Sequence, residues 1–407
     1  MSQFFKDVYH AIIWQLSRLF VFMYLRPLFK VEIEKDSDPV PSTPFIMISN
    51  HGTFFDPWLI GATSATPLAI MMNDDGFRAG GFTRWYLHSV GAFPKKKGAH
   101  DFTAMKKTLQ TLKRGKPVFI FPEGQTTWNG ETQPIFGGIE KIVKKAQCNL
   151  YMSRVKGNFL SMPWWAKTRR RGKVLIRYKT ISRDQIAQMS AEQILHTMID
   201  YIHVNDIEDH QIRQIRFTGE DMAEGMERLV WLCPKCKSED TLVASHNKIS
   251  CSSCSLVITT DAYCKLFYSD TLPDAPENLY EWTTLHKQYV KTRISHQNGN
   301  MPLTSSSDIT MSQQDENKDF VAAGSGTLRL TQDFLTFTPT NSPEAEKKWS
   351  LASITDYVIQ KKDIFEFHHT ESDEYFRFEF DHKSPMKWIY YLRYINGYEQ
   401  CEEKGYM

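Results

Sequence analysis

Apolar positions along this chain change period three times, and each change predicts a different kind of element. Residues 4–30 hold one crowded run that includes Phe5, Tyr9, Trp14, Leu19, Phe22 and Tyr24, interrupted by His10, Gln15, Arg18, Arg26 and Lys30. A spanning helix needs about 20 predominantly apolar residues, and Arg18 falls in the middle of this stretch. The run therefore predicts a helix lying in a headgroup layer, with Trp and Tyr at its level and Arg reaching phosphates. Short apolar runs follow at 45–48, 68–72 and 117–121, with a further strand at 174–178, alternating with helical periodicity at 82–90, 101–113 and 185–207. That alternation predicts an α/β domain. From residue 326 the period drops to two, in the pairs Leu328/Leu330, Leu335/Phe337 and Phe365/Phe367 and the triplet Phe376/Phe378/Phe380. A helical run at 384–395 closes this part, and strands followed by one amphipathic helix resemble a pleckstrin-homology-like β-barrel. The polar stretch 296–318 has little to bury and predicts a linker. These changes divide the chain into 1–30, 31–220, 226–270, 271–323 and 324–400.

Charge adds an asymmetry that the apolar pattern does not show. The 407 residues carry a net charge of +2, but residues 1–180 carry +15 and residues 181–407 carry −13. A basic first half suits an anionic membrane surface or a phosphorylated ligand. Nucleic acid would suit the charge alone, but residues 242–253 lack a Lys/Arg patch, so it is not the expected partner. Four of the seven cysteines form two Cys-x2-Cys pairs, Cys233/Cys236 and Cys251/Cys254, with fourteen residues between the pairs. This spacing predicts a zinc ribbon holding a structural Zn²⁺ in a closed four-thiolate shell, rather than disulfides.

Candidate chemistry gathers at strand ends. Ser49-Asn50-His51-Gly52-Thr53-Phe54-Phe55-Asp56-Pro57 follows the first buried strand, and Asp56-Pro57 predicts a helix start with Asp56 as N-cap. A histidine and a carboxylate then bracket a strand-to-helix turn, where α/β folds place reactive groups. Alone, the pair reads first as a loop histidine and a structural cap. Pro122-Glu123-Gly124 ends another strand and brings a carboxylate and backbone N–H groups to the same edge. Gly124 there permits close approach of a ligand. Lys95, Lys96 and Lys97, flanked by glycines, offer compact cations for a phosphate. Trp164 and Trp165, followed by five cations through Lys173, predict either a second membrane-contact loop or a basic hairpin with a packed Trp pair.

Taken together, Asn50-His51-x4-Asp56, Gly91-Ala92-Phe93-Pro94 and Phe121-Pro122-Glu123-Gly124 resemble, in order and spacing, the PlsC-type glycerolipid acyltransferases. That family includes the 1-acyl-glycerol-3-phosphate acyltransferases, and the resemblance covers roughly residues 1–215. It implies a mixed sheet flanked by helices and a peripheral or monotopic protein on the cytoplasmic face of a membrane. It also implies transfer of an acyl chain from acyl-CoA or acyl carrier protein to the hydroxyl of a lysophospholipid. In that reading His51 is the general base and Asp56 its orienting partner. Asn50, Lys95, Lys96, Lys97, Glu123, Gly124 and Thr126 are the substrate contacts. Three departures fall away from the His51–Asp56 pair. Lys97 replaces the usual arginine, Gln125-Thr126-Thr127 lacks the usual cation at 126, and Met152-Ser153-Arg154-Val155 lacks the proline of a fourth motif. Acylation of another lysophospholipid or lipid alcohol is the alternative within enzymes. An inactive acyltransferase fold serving as a membrane- or protein-binding module is the alternative outside them.

Overall fold

The computed structural model describes residues 3–73, 75–78, 80–95, 102–297, 301–315 and 319–407; Lys96 and Lys97 lie outside the described residues. The chain divides into two compact units. The first comprises Met1–Trp164, Arg169–Gly219 and Cys401–Met407, and the second Trp165–Thr168 and Glu220–Gln400.

Seven strands build the first unit: β1 (Val31–Ile33), β2 (Phe45–Ser49), β3 (Ala69–Asn73), β4 (Phe93–Lys95), β5 (Val118–Ile120), β6 (Asn149–Lys156) and β7 (Val174–Ile181). Their order is β1-β7-β6-β2-β5-β3-β4. Every neighbouring pair is parallel except β6 and β7, so the sheet is mixed. β2 lies in its interior with all five residues buried. Successive side chains point to opposite faces: Phe45 and Met47 join a core with Trp14 and Leu59, whereas Ile46 and Ile48 join another with Val143 and Met198. An unbroken apolar run is what a strand covered on both faces requires. Because β2, β4, β5 and β6 run parallel, their carboxyl ends share one edge of the sheet.

The N-terminal helix, Gln3–Phe20, continues through Val21–Leu25, and the stretch Phe5–Leu28 is long and apolar enough to cross a membrane by length and composition. Only 17% of its apolar window is buried. Phe5, Val8, Ile12, Leu16, Leu19, Phe20 and Met23 form an exposed stripe, while Trp14 packs inward and its indole donates to Ser64 O at 3.0 Å. Arg18 does not reach outward as the apolar pattern predicts. Its Nε donates to Ala62 O at 2.8 Å, and Arg26 donates to Leu59 O at 3.1 Å. Both arginines satisfy carbonyls at the end of the helix Asp56–Gly61, where four C=O groups lack intrahelical partners.

Two antiparallel sheets form the second unit. Strands β8 (Leu242–Ser245), β9 (Lys248–Cys251), β10 (Val257–Thr260) and β11 (Leu266–Tyr268) lie in the order β11-β10-β9-β8. Seven more follow: β12 (Thr304–Gln314), β13 (Phe320–Leu330), β14 (Phe334–Pro339), β15 (Lys347–Ser350), β16 (Ile354–Gln360), β17 (Ile364–His369) and β18 (Glu374–Glu379). Their order, β15-β14-β13-β12-β18-β17-β16, joins a four-strand meander to a three-strand meander through β12 and β18. The helices Leu279–His296 and Met386–Ile395 belong to the same unit.

The expected linker at 296–318 is in large part β12. Its hydroxyl side chains escape a hydropathy reading because they are buried by hydrogen bonding rather than by apolar contact: Thr304 Oγ1 donates to Glu239 Oε2 at 2.5 Å, and Ser306 Oγ donates to Asp240 Oδ2 at 2.6 Å. Lys387, 0% exposed, reaches the same Asp240 and lies 3.4 Å from Glu239 Oε2. Trp165 is 1% exposed and so presents no aromatic surface to a bilayer.

Candidate active site and cysteine cluster

β2 ends at Ser49 and the chain turns at once into the helix Asp56–Gly61, which fixes the separation of His51 and Asp56. Asp56 is not the N-cap. It is the first helical residue, Phe55 occupies the cap, and the carboxylate folds back over the turn instead. Asp56 Oδ2 accepts from Gly52 N at 2.7 Å and Thr53 N at 2.9 Å, and lies 3.0 Å from His51 Nδ1. The carboxylate is 0% exposed and the histidine side chain 17%. With Nδ1 held, Nε2 is the nitrogen left to exchange a proton. The imidazole stacks on Phe121, centroids 4.1 Å apart.

β5 delivers Phe121-Pro122-Glu123-Gly124 to the same edge. Glu123 lines the same pocket as His51 with its carboxyl braced by backbone. It is buried, and its two carboxyl oxygens accept from His51 N at 2.6 Å and Gln133 N at 2.7 Å. Burial, offset by those two N–H groups and reinforced by the charge of Asp56, pushes the Glu123 carboxyl up to about 8. Gly124 has φ +72, and a Cβ there would meet the Phe136 ring at 2.5 Å. Its own N–H is taken by Phe121 O at 3.1 Å, so it is not itself a free oxyanion donor. Thr126 is half-buried on the same loop, next to Thr127, whose N–H donates to His51 O at 2.9 Å.

Asn50 lines the same pocket and is tied to the neighbouring strand. Its amide accepts from Val155 N and donates to Val155 O, both at 2.8 Å, which ties the end of β2 to β6. Lys95 ends β4, and its ammonium lies 4.5 Å from the centroid of Phe136, the ring that Gly124 abuts. Phe136 was not singled out from the sequence, nor was the segment that holds it. Residues 405–407 pair with 135–137, through Ile135 N to Gly405 O at 3.0 Å, Met407 N to Ile135 O at 2.9 Å and Gly137 N to Met407 O at 3.2 Å.

Two further buried polar residues complete the surroundings of His51. Asn158 follows β6 and donates through Nδ2 to Asp56 Oδ1 and Oδ2, at 3.0 and 3.1 Å. Asp206 accepts from Gly157 N at 2.8 Å and Phe159 N at 3.1 Å, and burial pushes its carboxyl up to about 7. With His51 and Glu123 these residues line one shallow polar pocket at the sheet edge. The only sequence signal for Asn158 was its position just past the end of a strand parallel to β2.

In the second unit, Cys233, Cys236, Cys251 and Cys254 bring their four Sγ atoms within 4.8 Å of one another, and all four are free thiols. Cys233 and Cys254 are 3.7 Å apart, and Cys236 and Cys251 are 3.8 Å apart. A tetrahedron of thiolates about 2.3 Å from a zinc ion has edges of about 3.8 Å, so the donor set fits that ion. Thr241 Oγ1, 3.3 Å from Cys251 Sγ, and Ser238 Oγ, 2.8 Å from Cys236 Sγ, are hydroxyl neighbours able to orient the sulfurs.

Residues 30–154, all in the first unit, match the family model described as Acyltransferase. Over 103 residues the chain is 32% identical to a lyso-ornithine lipid O-acyltransferase of Pseudomonas aeruginosa, covering 25% of this chain and 38% of that protein. Over 151 residues it is 23% identical to a chloroplastic 1-acyl-sn-glycerol-3-phosphate acyltransferase of Brassica napus, covering 36% and 43%. The chain thus spans about two fifths of the length of these curated relatives. Among solved structures, the 1-acyl-sn-glycerophosphate acyltransferase PlsC of Thermotoga maritima aligns at 18% identity and a TM-score of 0.38, over 49% of this chain and 87% of that one.

Proposed function

We propose, from the acyltransferase-family domain and its polar edge, that the chain is a membrane-associated O-acyltransferase. It would move an acyl chain from an acyl thioester to the hydroxyl of a lysophospholipid of the 1-acyl-glycerol-3-phosphate type. The observation that carries this reading is the His51 Nδ1–Asp56 Oδ2 contact of 3.0 Å, made to a fully buried carboxylate at the carboxyl end of β2. His51 Nε2 takes the acceptor's hydroxyl proton as that oxygen attacks the thioester carbonyl. The tetrahedral intermediate collapses with cleavage of the C–S bond, and the proton passes from the imidazolium to the leaving thiolate. Asp56 fixes the tautomer and stabilises the imidazolium, as the acid does in Ser-His-Asp sites. Backbone N–H groups of the loop after Gly124 are the candidates for stabilising the oxyanion, and Lys95, with Lys96 and Lys97, would meet a phosphate. The exposed apolar stripe of the N-terminal helix supports seating on the bilayer that holds both lipids.

A second acceptor reading has its own support. The relative at 32% identity is named for a lysolipid of a different headgroup, and Thr126 stands where a cation is expected. The four cysteines would hold a structural Zn²⁺ that ties their two knuckles together. The strand order β15-β14-β13-β12-β18-β17-β16 with a following helix supports reading that sheet as a pleckstrin-homology-like barrel.

Purified protein, acyl-CoA or acyl carrier protein donors and a panel of lysolipids test the whole proposal. His51→Ala is expected to lose turnover by roughly 10²–10⁴-fold while keeping its fold. Turnover at the wild-type rate in that variant ends the reading of His51 as base.

A further inference from the structure

We infer that Asn158 is a positioning residue of the acyl-transfer site, seated by Asp206, and that it acts on His51 through Asp56. The inference rests on the reading of His51 as general base.

The Asp56 carboxylate is buried without a cation beside it among the described residues, so N–H donors must replace its lost hydration. Two come from the turn itself, Gly52 and Thr53, and both reach Oδ2. Oδ2 is also the oxygen that faces His51. Oδ1 has one partner among the described residues, the amide of Asn158 at 3.0 Å, and the same amide reaches Oδ2 at 3.1 Å. Without that amide, Oδ1 would be buried and unpaired, and rotation of the carboxylate would carry Oδ2 away from Nδ1. A buried oxygen left unpaired costs about 1–3 kcal/mol. Asn158 thus selects the one carboxylate orientation that serves the histidine.

Asn158 is held as firmly as it holds. It is 1% exposed, and a Cβ at Gly52 would meet its side chain at 2.6 Å, so the amide lies directly against the catalytic turn. Gly157, at φ +76, turns the chain out of β6, and a Cβ there would strike Lys173 O at 2.4 Å. Asp206 clasps the backbone on both sides of Asn158, through Gly157 N and Phe159 N, and its own N–H is anchored on Gly130 O at 2.9 Å. Both residues lie beyond the family-matched segment 30–154. The turn at 51–56 therefore depends on a brace supplied from 102 and 150 residues further along the chain.

The test uses the full chain with His51→Ala as reference, comparing Asn158→Ala, Asn158→Asp and Asp206→Asn by steady-state kinetics across pH. Asn158→Ala is expected to lower kcat by roughly 10- to 100-fold, part of the range general-base catalysis spans, with acceptor KM within about two-fold of wild type. Removing a donor from Asp56 concentrates its charge and favours the imidazolium, so the acid limb of kcat/KM should move to higher pH. Asn158→Asp keeps the shape, adds a carboxyl, and should move that limb further. It carries the test alone if the alanine variant does not fold. Asp206→Asn should reproduce the kcat loss in milder form. A merely structural role would lower the active fraction without moving the limb, and that result, or wild-type kcat in Asn158→Ala, overturns the inference. If His51→Ala itself retains turnover, the base reading fails instead.

Discussion

Around His51, buried polar side chains arrive from four separate stretches of chain, near residues 51–56, 123, 158 and 206, whereas the four thiols of the second unit come from two knuckles of four residues each. Burial also shifts particular groups in the two units in opposite directions. In the first unit the buried acids Glu123 and Asp206 have their carboxyls pushed up to about 8 and about 7. The second buries a base, His286, fully enclosed beside Trp231 with centroids 4.8 Å apart, and burial pulls it down to about 3. In each case the buried group is held neutral where its free counterpart would be charged, and the consequence for stability has opposite sign. A dispersed site is thus vulnerable at every element that contributes to it. A knuckle site would be vulnerable at the zinc proposed for it.

The sharpest way to break this comparison is Asp56→Asn, which preserves shape but offers an amide where Oδ2 accepts from three N–H groups and faces Nδ1. Turnover should fall by about 10³–10⁴-fold, the cost of a wrong histidine tautomer in related dyads, with the metal content unchanged. A loss under ten-fold would show that the turn orients His51 without its carboxylate.

Next in size is removal of the ion. Dialysis against a chelator, or Cys251→Ser, should abolish binding of about one zinc per chain and lower the melting temperature of the second unit by about 10 °C or more, because metal binding there is folding free energy. Zinc content read against tryptophan fluorescence on heating decides it, and an unchanged melt in metal-free protein would remove the ion from the fold.

Opposite pH dependences follow in magnitude. His286 binds fewer protons folded than unfolded between about pH 3 and its ordinary 6.5. Its contribution is therefore present above pH 6.5 and lost as pH falls towards 3, a few kcal/mol at most. Glu123 and Asp206 hold their protons longer in the folded state. Their contribution is complete below about pH 4 and is lost as pH rises through 7 and 8. Urea unfolding over a pH series should show the second unit weakening in acid and the first in base. His286→Phe should flatten the acid side, and Glu123→Gln the basic side. A single shared pH profile would contradict the assignment.

Smallest is Gly405→Val. At φ +74, with a Cβ 2.9 Å from Ile199, valine should displace the 405–407 pairing from Ile135. The expected cost is about 1–2 kcal/mol in the first unit, with a weaker grip on phosphate-bearing acceptors through Phe136 and Lys95. Acceptor KM against kcat checks it, and an unchanged KM would leave the pairing purely structural.

How far these features were legible depended on whether their cause was local. The run 45–48 could be read as a buried strand because both faces of β2 are covered, and the strand ends gave away the histidine and Pro-Glu-Gly turns. The contacts of Arg18 with the helix end and of Asn50 with β6 have no local signal, because their partners lie 44 and 105 residues away. The β12 segment escaped because Thr304 and Ser306 are buried by hydrogen bonds, to which a hydropathy pattern is blind. For Glu123 the sequence leaves open whether it meets the acceptor or supports the loop, and the two backbone N–H groups it binds come from turns that no local pattern joins.

By itself the sequence determined whatever a few bonded neighbours can impose: the five-residue separation of His51 and Asp56, the Cys-x2-Cys knuckles, and the apolar periods of strand and helix. Tertiary structure alone decided that Asp56 accepts rather than caps, that Asn158 and Asp206 stand behind it, and that residues 405–407 hold the loop of Phe136. The physical reason is distance along the chain. A hydrogen bond formed across a hundred residues depends on parallel strands ending at one edge, and no local pattern records which ends will meet.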